Sequence, residues 1–483
     1  MNPAPPAPST PPPSLTVDVA VIGAGTAGMA AYRAAVAAGA RTVLIEGSSY
    51  GTTCARVGCM PSKLFIAAAD VAHGIKRAAP FGVSAGAMVV DGEAVMARVR
   101  SERDRFVGFV TRTVDTFPEA DRLWGQARFV DDHTLEVREE EGGVAATVRA
   151  RAVVIATGSR PMMLPMFDGL GDRLLTNEVV FSWETLPRSV AVFGPGIIGL
   201  ELGQALARLG VRVRVFGRGG FVGPLTDPDV RDEAARVIGE ELPLHPDAKV
   251  HGLRRTDAPG VEVSFVKDGA DVTETFDVVL AAIGRVPNVD GLGLEHTSLV
   301  RDRRGVPVYD ATTLQCGASS IFIAGDANAD VPLLHEAADE GSIAGGNAAR
   351  FPNVAPGARR SPLAIMFTDP QIAMVGESWS RVKDRDPVVG RVSFDDQGRS
   401  RVMGVNQGRL HLYADRGSGR LLGAEMIGPA AEHLAHLLAW VHQLGLTIPQ
   451  ILALPFYHPV IEEGLRTALR DAAAQLAARP NSM

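Results

Sequence analysis

An apolar run from Val17 leads into Gly23-Ala24-Gly25-Thr26-Ala27-Gly28, and a stretch of small residues follows from Met29 to Ala38. The same arrangement returns at Val190-Ala-Val-Phe-Gly194-Pro195-Gly196-Ile-Ile-Gly199, with a helical pattern reaching Gly210. Each copy reads as a buried strand, a turn too tight for side chains and a helix that can lie close on a sheet, and few folds satisfy that demand. The helix N-terminus in such a unit is a natural seat for a pyrophosphate. After the first copy, Arg41-Thr-Val-Leu-Ile-Glu46 is a second strand ending in an acid, about 20 residues past the glycines, where ribose hydroxyls are bound. A single glycine fingerprint is weak evidence. Two in register with strands, helices and an acid predict an α/β chain carrying two dinucleotide sites.

Between these units lies Gly51-Thr-Thr-Cys54-Ala-Arg-Val-Gly-Cys59-Met-Pro61-Ser-Lys63. Four intervening residues suffice to close a disulfide ring. Pro61 suits the first turn of a helix, which puts Cys59 at a helix N-terminus. The partial positive charge there and Lys63 one turn on favour the thiolate over a thiol of ordinary pKa about 8.5. Two buried structural cysteines or half of a zinc site are the alternatives, but no second Cys pair or suitably spaced His completes a metal shell. A redox dithiol is the expectation, with no metal.

Near the far end comes Leu454-Pro-Phe456-Tyr457-His458-Pro-Val-Ile-Glu462-Glu463-Gly. A His held extended by the following Pro, with a carboxylate five residues on, suits a general base oriented and made more basic by an acid. Spacing selects Glu463 over Glu462.

In these motifs the chain resembles the flavin-dependent pyridine nucleotide-disulfide oxidoreductases, from about Val17 to the C-terminal helix, most closely the dihydrolipoyl dehydrogenases. The resemblance implies FAD on the first fold at Gly23, Gly25, Gly28 and Glu46, and a nicotinamide cofactor on the inserted second fold at Gly194, Gly196 and Gly199. It further implies flavin contacts at Gly125-Gln-Ala127, Ala156-Thr157-Gly158 and Ile323-Ala-Gly325-Asp326, with Asp326 on a ribityl hydroxyl. Lys63 and Glu201 are expected near the flavin ring, Glu201 and Gly284 being counted with the nicotinamide site. Domains are expected at 15–160 and 285–355 for FAD, 161–284 for NAD(P) and 356–483 for an α+β dimerisation module. Cys54 is implied as the interchange thiol and Cys59 as the thiolate against the flavin. His458 and Glu463 would serve the dithiol of the second subunit in a homodimer. The substrate would be a dithiol, a lipoyl-carrying protein among the candidates.

Two departures leave the cofactor and the substrate open. The strand after the second fingerprint reads Val211-Arg-Val-Arg-Val-Phe-Gly217-Arg218, with glycine where NAD-using relatives carry an acid. Loss of the carboxylate beside an arginine favours a 2′-phosphate. Gly199, where NADPH-using relatives commonly have alanine, points the other way, and Arg218 could equally be a solvated loop residue. Phe456-Tyr457 replaces smaller residues usual in dihydrolipoyl dehydrogenases, so an NADPH-dependent reductase of another disulfide is the alternative. The lack of a terminal cysteine pair weighs against a mercuric reductase. A flavin-binding redox sensor without turnover is the reading from another class.

Composition narrows the rest. With 483 residues, two to four domains are expected, and 46% apolar residues supply their cores. A net charge of −7 without a basic stripe predicts no nucleic-acid partner. Only three cysteines exclude a disulfide scaffold and suit a reducing compartment, and Cys316 is expected to be partly buried and inert. Residues 1–14, rich in proline, read as a disordered tail and neither as a signal peptide nor as a lipoyl domain. No apolar run reaches the roughly 20 residues needed to span a bilayer, so a cytoplasmic protein is expected. Glu93 to Phe117 predicts a long helix whose arginines line a solvated side.

Overall fold

The computed structural model describes residues 13–257 and 260–478; the expected tail falls almost wholly outside them. Two compact units emerge. The first is assembled from three stretches of chain, up to Arg56, Arg103–Arg160 and Arg285–Arg359. Its sheet centres on Ser14–Ile22, with Thr42–Glu46 and then Arg122–Trp124 parallel on one side. Val144–Ile155 lies parallel on the other side and pairs in turn with Ile321–Ile323. A hairpin, Gln126–Phe129 and Thr134–Arg138, completes the sheet through antiparallel pairing to Val144–Ile155. The central strand begins at Ser14, where it pairs with Thr147, three residues before the apolar run starts; backbone pairing there needs no apolar side chain.

The second unit, Val57–Glu102, Pro161–Gly284 and from Arg360 onward, contains the second glycine turn. Its parallel sheet runs in the order Leu244–His245, Arg212–Phe216, Ser189–Phe193, Val278–Ala281, Leu174–Leu175. Every residue of Ser189–Phe193 is buried, as expected for a strand covered on both faces. A separate five-stranded antiparallel sheet spans Leu363–Met366 to Leu421–Gly428. The helices Ala431–Gln443 and Glu462–Ala477 pack on it. The fold is thus α/β, a Rossmann-like domain split by a second Rossmann-like domain and followed by an α+β module.

The long helix runs Gly92–Asp115. Its arginines are not all solvated: Arg100 and Arg103 are half-buried, and Arg100 Nη1 donates to the carbonyl of Trp183. Cys316 is 2% exposed, more deeply buried than expected, and burial alone pushes its thiol up to about 12, which leaves it unreactive. Among the described residues no helix is long and apolar enough to cross a membrane.

Candidate active site and nucleotide sites

The first turn is built from backbone proximity. Gly23 has φ +102°, and a Cβ there would meet the Ala156 carbonyl oxygen at 2.4 Å. A Cβ on Gly28 would lie 1.8 Å from the Gly23 oxygen. Gly25 caps the helix Thr26–Ala37 with no side-chain cap and no acid in the first turn, and nothing would touch its Cβ within 4 Å. An open, positive helix end of this kind fits a pyrophosphate. Glu46 closes the neighbouring strand: Oε2 accepts from Ala24 N at 2.7 Å and Oε1 from Ser48 N at 2.8 Å. Ser48 Oγ also donates to Oε1, at 2.9 Å, and since a carboxylate has about four acceptor positions, capacity for a ribose hydroxyl remains.

Ala127, Thr157, Gly158 and Asp326, also expected at the flavin, lie in the same unit, whereas Cys59, Lys63 and Glu201 belong to the second. Ala127 is buried on the outermost strand. Thr157 Oγ1 donates to the Asn288 carbonyl at 2.6 Å, Asn288 N returns a bond to the Gly158 oxygen at 2.9 Å, and Gly158 itself has φ +69°. Asp326 Oδ2 accepts from Ser159 Oγ at 2.6 Å, and Arg285 Nε donates to that same hydroxyl at 2.7 Å. Ser159 escaped the sequence reading because a lone serine carries no signal. Arg285 stood in a segment valued only for its glycine.

The second turn repeats the first. Gly194 has φ +106°, its Cβ would meet Ala282 O at 2.3 Å, and a Cβ on Gly199 would meet Gly194 O at 1.9 Å. Gly196 caps Ile197–Arg208 with neither side-chain cap nor first-turn acid, and the space over it is open. Gly284 has φ +129° and its carbonyl accepts from Met162 N at 2.9 Å. Arg218 is exposed.

Glu201 lies on the same helix but is 4% exposed. Its carboxylate takes two bonds from Lys63 Nζ, at 2.9 and 2.7 Å, and one from Phe367 N at 2.9 Å. The Lys63 ammonium also sits 4.5 Å from the Phe367 ring centroid, a cation–π geometry. This cluster ties the second fold to the helix Cys59–Lys76, which starts at the second cysteine. That helix has no side-chain cap and no acid in its first turn, so its terminal N–H groups and dipole act on Cys59, which is exposed. Lys63 lies one turn further, at i+4 and so on the same helix face. Cys54 is half-buried in the short helix Thr53–Val57. Asn177, 5% exposed, donates to the Val57 carbonyl at 2.7 Å and steadies the turn between the cysteines. Neither Asn177 nor Phe367 was legible in the sequence, since each acts on a motif more than a hundred residues away.

At the C-terminal end, His458 Nδ1 is 3.0 Å from both oxygens of Glu463, and Glu462 makes no such bond. The histidine holds the Glu463 carboxyl below its ordinary value, with Val460 N as a second donor. His458 is 80% exposed, and among the described residues its Nε2 has no partner. Tyr457 beside it is 79% exposed.

Residues 17–341 match the model of the pyridine nucleotide-disulphide oxidoreductases, and residues 363–469 match that family's dimerisation domain. The chain belongs to this family. Its members are enzymes that use FAD and a nicotinamide nucleotide, and the two open glycine turns suit both. The chain is 33% identical to dihydrolipoyl dehydrogenase 2 of Haloarcula marismortui over 94% of its length and 96% of the relative. It is 32% identical to a mercuric reductase of Shigella flexneri, over 94% of this chain and 80% of that one. Among solved structures, LpdA of Mycobacterium tuberculosis has a TM-score of 0.80 at 26% identity, covering 94% of this chain and 99% of that one. The protein is therefore a flavoprotein disulfide oxidoreductase.

Proposed function

We propose that the protein oxidises a dithiol of the dihydrolipoamide type through Cys54 and Cys59, with NAD(P)+ as final acceptor, in a homodimer whose active sites are completed by His458 and Glu463 of the second copy. The observation that carries this reading is the His458–Glu463 pair. With Nδ1 committed to the carboxylate, Nε2 is the nitrogen left to take a proton. The resulting substrate thiolate attacks Sγ of Cys54, the Cys54–Cys59 disulfide breaks, and Cys59 leaves as thiolate. The substrate's second thiol then attacks the mixed disulfide, so the substrate leaves as a disulfide and the enzyme keeps two reduced cysteines. The helix N-terminus stabilises the Cys59 thiolate, while the charge of Lys63, expected to help, is paired with Glu201. Bound FAD, held by the Gly23–Gly28 turn, Glu46 and Asp326, supplies the two-electron link to the nicotinamide cofactor.

A steady-state assay of the flavin-loaded protein, pairing dihydrolipoamide with NAD+ or NADP+ and disulfides with NADH or NADPH, tests the proposal. Turnover of dihydrolipoamide is expected, and His458→Gln should reduce it by about 10²- to 10⁴-fold. Full activity in His458→Gln would remove the proposed base. Absence of turnover with every pair would favour a sensor that uses the dithiol as a switch.

A further inference from the structure

The two turns can be superposed residue by residue through their own hydrogen bonds. Gly23 N donates to the carbonyl of Ile45, the residue before Glu46; Gly194 N donates to the carbonyl of Phe216, the residue before Gly217. Gly217 is therefore the counterpart of Glu46, and Pro195 is the counterpart of Ala24. In the first fold the Glu46 carboxylate is held by the N–H of Ala24. In the second fold both halves of that bond are gone: proline has no N–H to donate and glycine has no carboxylate to receive it. The space is gone as well. A Cβ on Gly217 would lie 2.6 Å from Pro195 Cγ and 2.6 Å from the carbonyl oxygen of Pro246.

Positive charge stands next to this gap. The strand's other arginines share one carboxylate, Arg214 Nη2 bonding Glu274 Oε1 at 2.6 Å and Arg212 Nη1 lying 3.4 Å from Glu274 Oε2. Arg218 is exposed and has no ion pair or hydrogen bond among the described residues. Asp247 Oδ1 accepts from Gly219 N at 2.8 Å and so pins the backbone just past Arg218. Where a ribose 2′-hydroxyl calls for an acceptor, this site offers an unpaired guanidinium, and guanidinium recognises phosphate through charge-assisted, often bidentate bonds.

We infer that Arg218 determines the specificity of the second nucleotide site, and that the site selects a 2′-phosphorylated nicotinamide dinucleotide over the unphosphorylated form. The inference rests on the reading that the Gly194–Gly199 turn holds the nicotinamide cofactor. Its departure from an ordinary NAD site is a linked one: the Pro195 and Gly217 pair also blocks simple reversal.

Titration calorimetry of the flavin-loaded protein with 2′-phospho-ADP-ribose and with ADP-ribose tests this without any redox turnover. The 2′-phosphorylated ligand should bind at least about tenfold more tightly, roughly 1.4 kcal/mol. In Arg218→Ala that ratio should fall to within about threefold, and in the wild type it should shrink as salt is raised. Gly217→Glu should not strengthen ADP-ribose binding. Equal or tighter binding of ADP-ribose, a ratio that survives Arg218→Ala, or a gain for ADP-ribose in Gly217→Glu would each overturn the inference while leaving the nucleotide site standing. Binding of neither ligand would overturn the reading of the Gly194 turn itself.

Discussion

Gly23 and Gly194 have φ of +102° and +106°, and the helices that leave their turns are held in place by unlike means. Helix Thr26–Ala37 lies against Leu334–Arg350 at backbone distance: a Cβ on Gly341 would meet Ala27 O at 2.1 Å, and one on Gly345 would meet Ala31 O at 2.1 Å. Helix Ile197–Arg208 is fastened by charge. Glu201 takes Lys63 near its start, and at its end Arg208, 3% exposed, reaches Glu241 at 2.8 Å, Asp70 at 2.9 Å and Asp369 at 3.0 Å. One local motif thus serves with either a small-residue seam or an ionic clamp behind it. What the turn requires is its own geometry, and its backing is free to vary.

The largest effect should come from filling the turns themselves. Gly28→Ala puts a methyl 1.8 Å from a carbonyl oxygen, and Gly199→Ala does the same at 1.9 Å. The first variant should purify without flavin, read as the loss of absorbance near 450 nm, about tenfold or more relative to protein. The second should keep its flavin and lose affinity for 2′-phospho-ADP-ribose by about 100-fold. If both variants lost flavin alike, the two turns would not be independent sites.

The clamp should answer to pH where the seam does not. Burial raises the Glu241 carboxyl, but hydrogen bonds from His73 and Arg208 outweigh it and bring it from 4.5 down to about 2. Because the folded value lies below the unfolded one, the stabilisation is fully present above pH 4.5 and is lost as pH falls toward 2. The change is on the order of 3 kcal/mol. Urea unfolding followed between pH 6 and 2 should show this acid loss in the wild type, and Glu241→Gln should flatten it. A slope unchanged by the substitution would place the acid sensitivity elsewhere.

The smallest contrast concerns the second residue of each turn. Ala24→Pro removes the N–H that Glu46 Oε2 accepts and should destabilise by about 1–3 kcal/mol and weaken flavin retention. Pro195→Ala removes no hydrogen bond and loses only the packing of a buried ring, so it should destabilise by about 1 kcal/mol and leave flavin retention unchanged. Denaturant midpoints of the two variants give the comparison directly. A loss of equal size in both would mean that the Ala24–Glu46 bond has no special weight.

Legibility followed the range of the interaction. The strand, turn and helix around each glycine fingerprint were readable because strand and helix periods and tight turns are written in neighbouring residues, whereas the split first domain and the antiparallel module were expected from the family resemblance alone. The pairing of His458 with Glu463 was readable for the same reason, five positions apart and across a short turn. Glu201 and Lys63 were expected near one another on the family resemblance; their ion pair and the Phe367 N–H that joins it come from distant stretches of chain, and no local pattern announces them. Arg100 was read as solvated because its helix looked charged, whereas its guanidinium caps the Trp183 carbonyl. Ser159, Asn177 and Arg208 had no motif to betray them.

By itself the sequence determined the positions where only one residue type meets a steric or chemical demand: the glycines under a carbonyl oxygen, the cysteines around a helix start, the proline that follows the histidine. The tertiary structure decided which carboxylate meets which cation, how deep Cys316 and Glu201 are buried, and that Gly217 is packed shut by Pro195 and the Pro246 carbonyl. The physical reason is distance. Backbone conformation and capping are settled among adjacent residues, whereas burial and ion pairing depend on which remote segments the packed chain brings within a few ångströms.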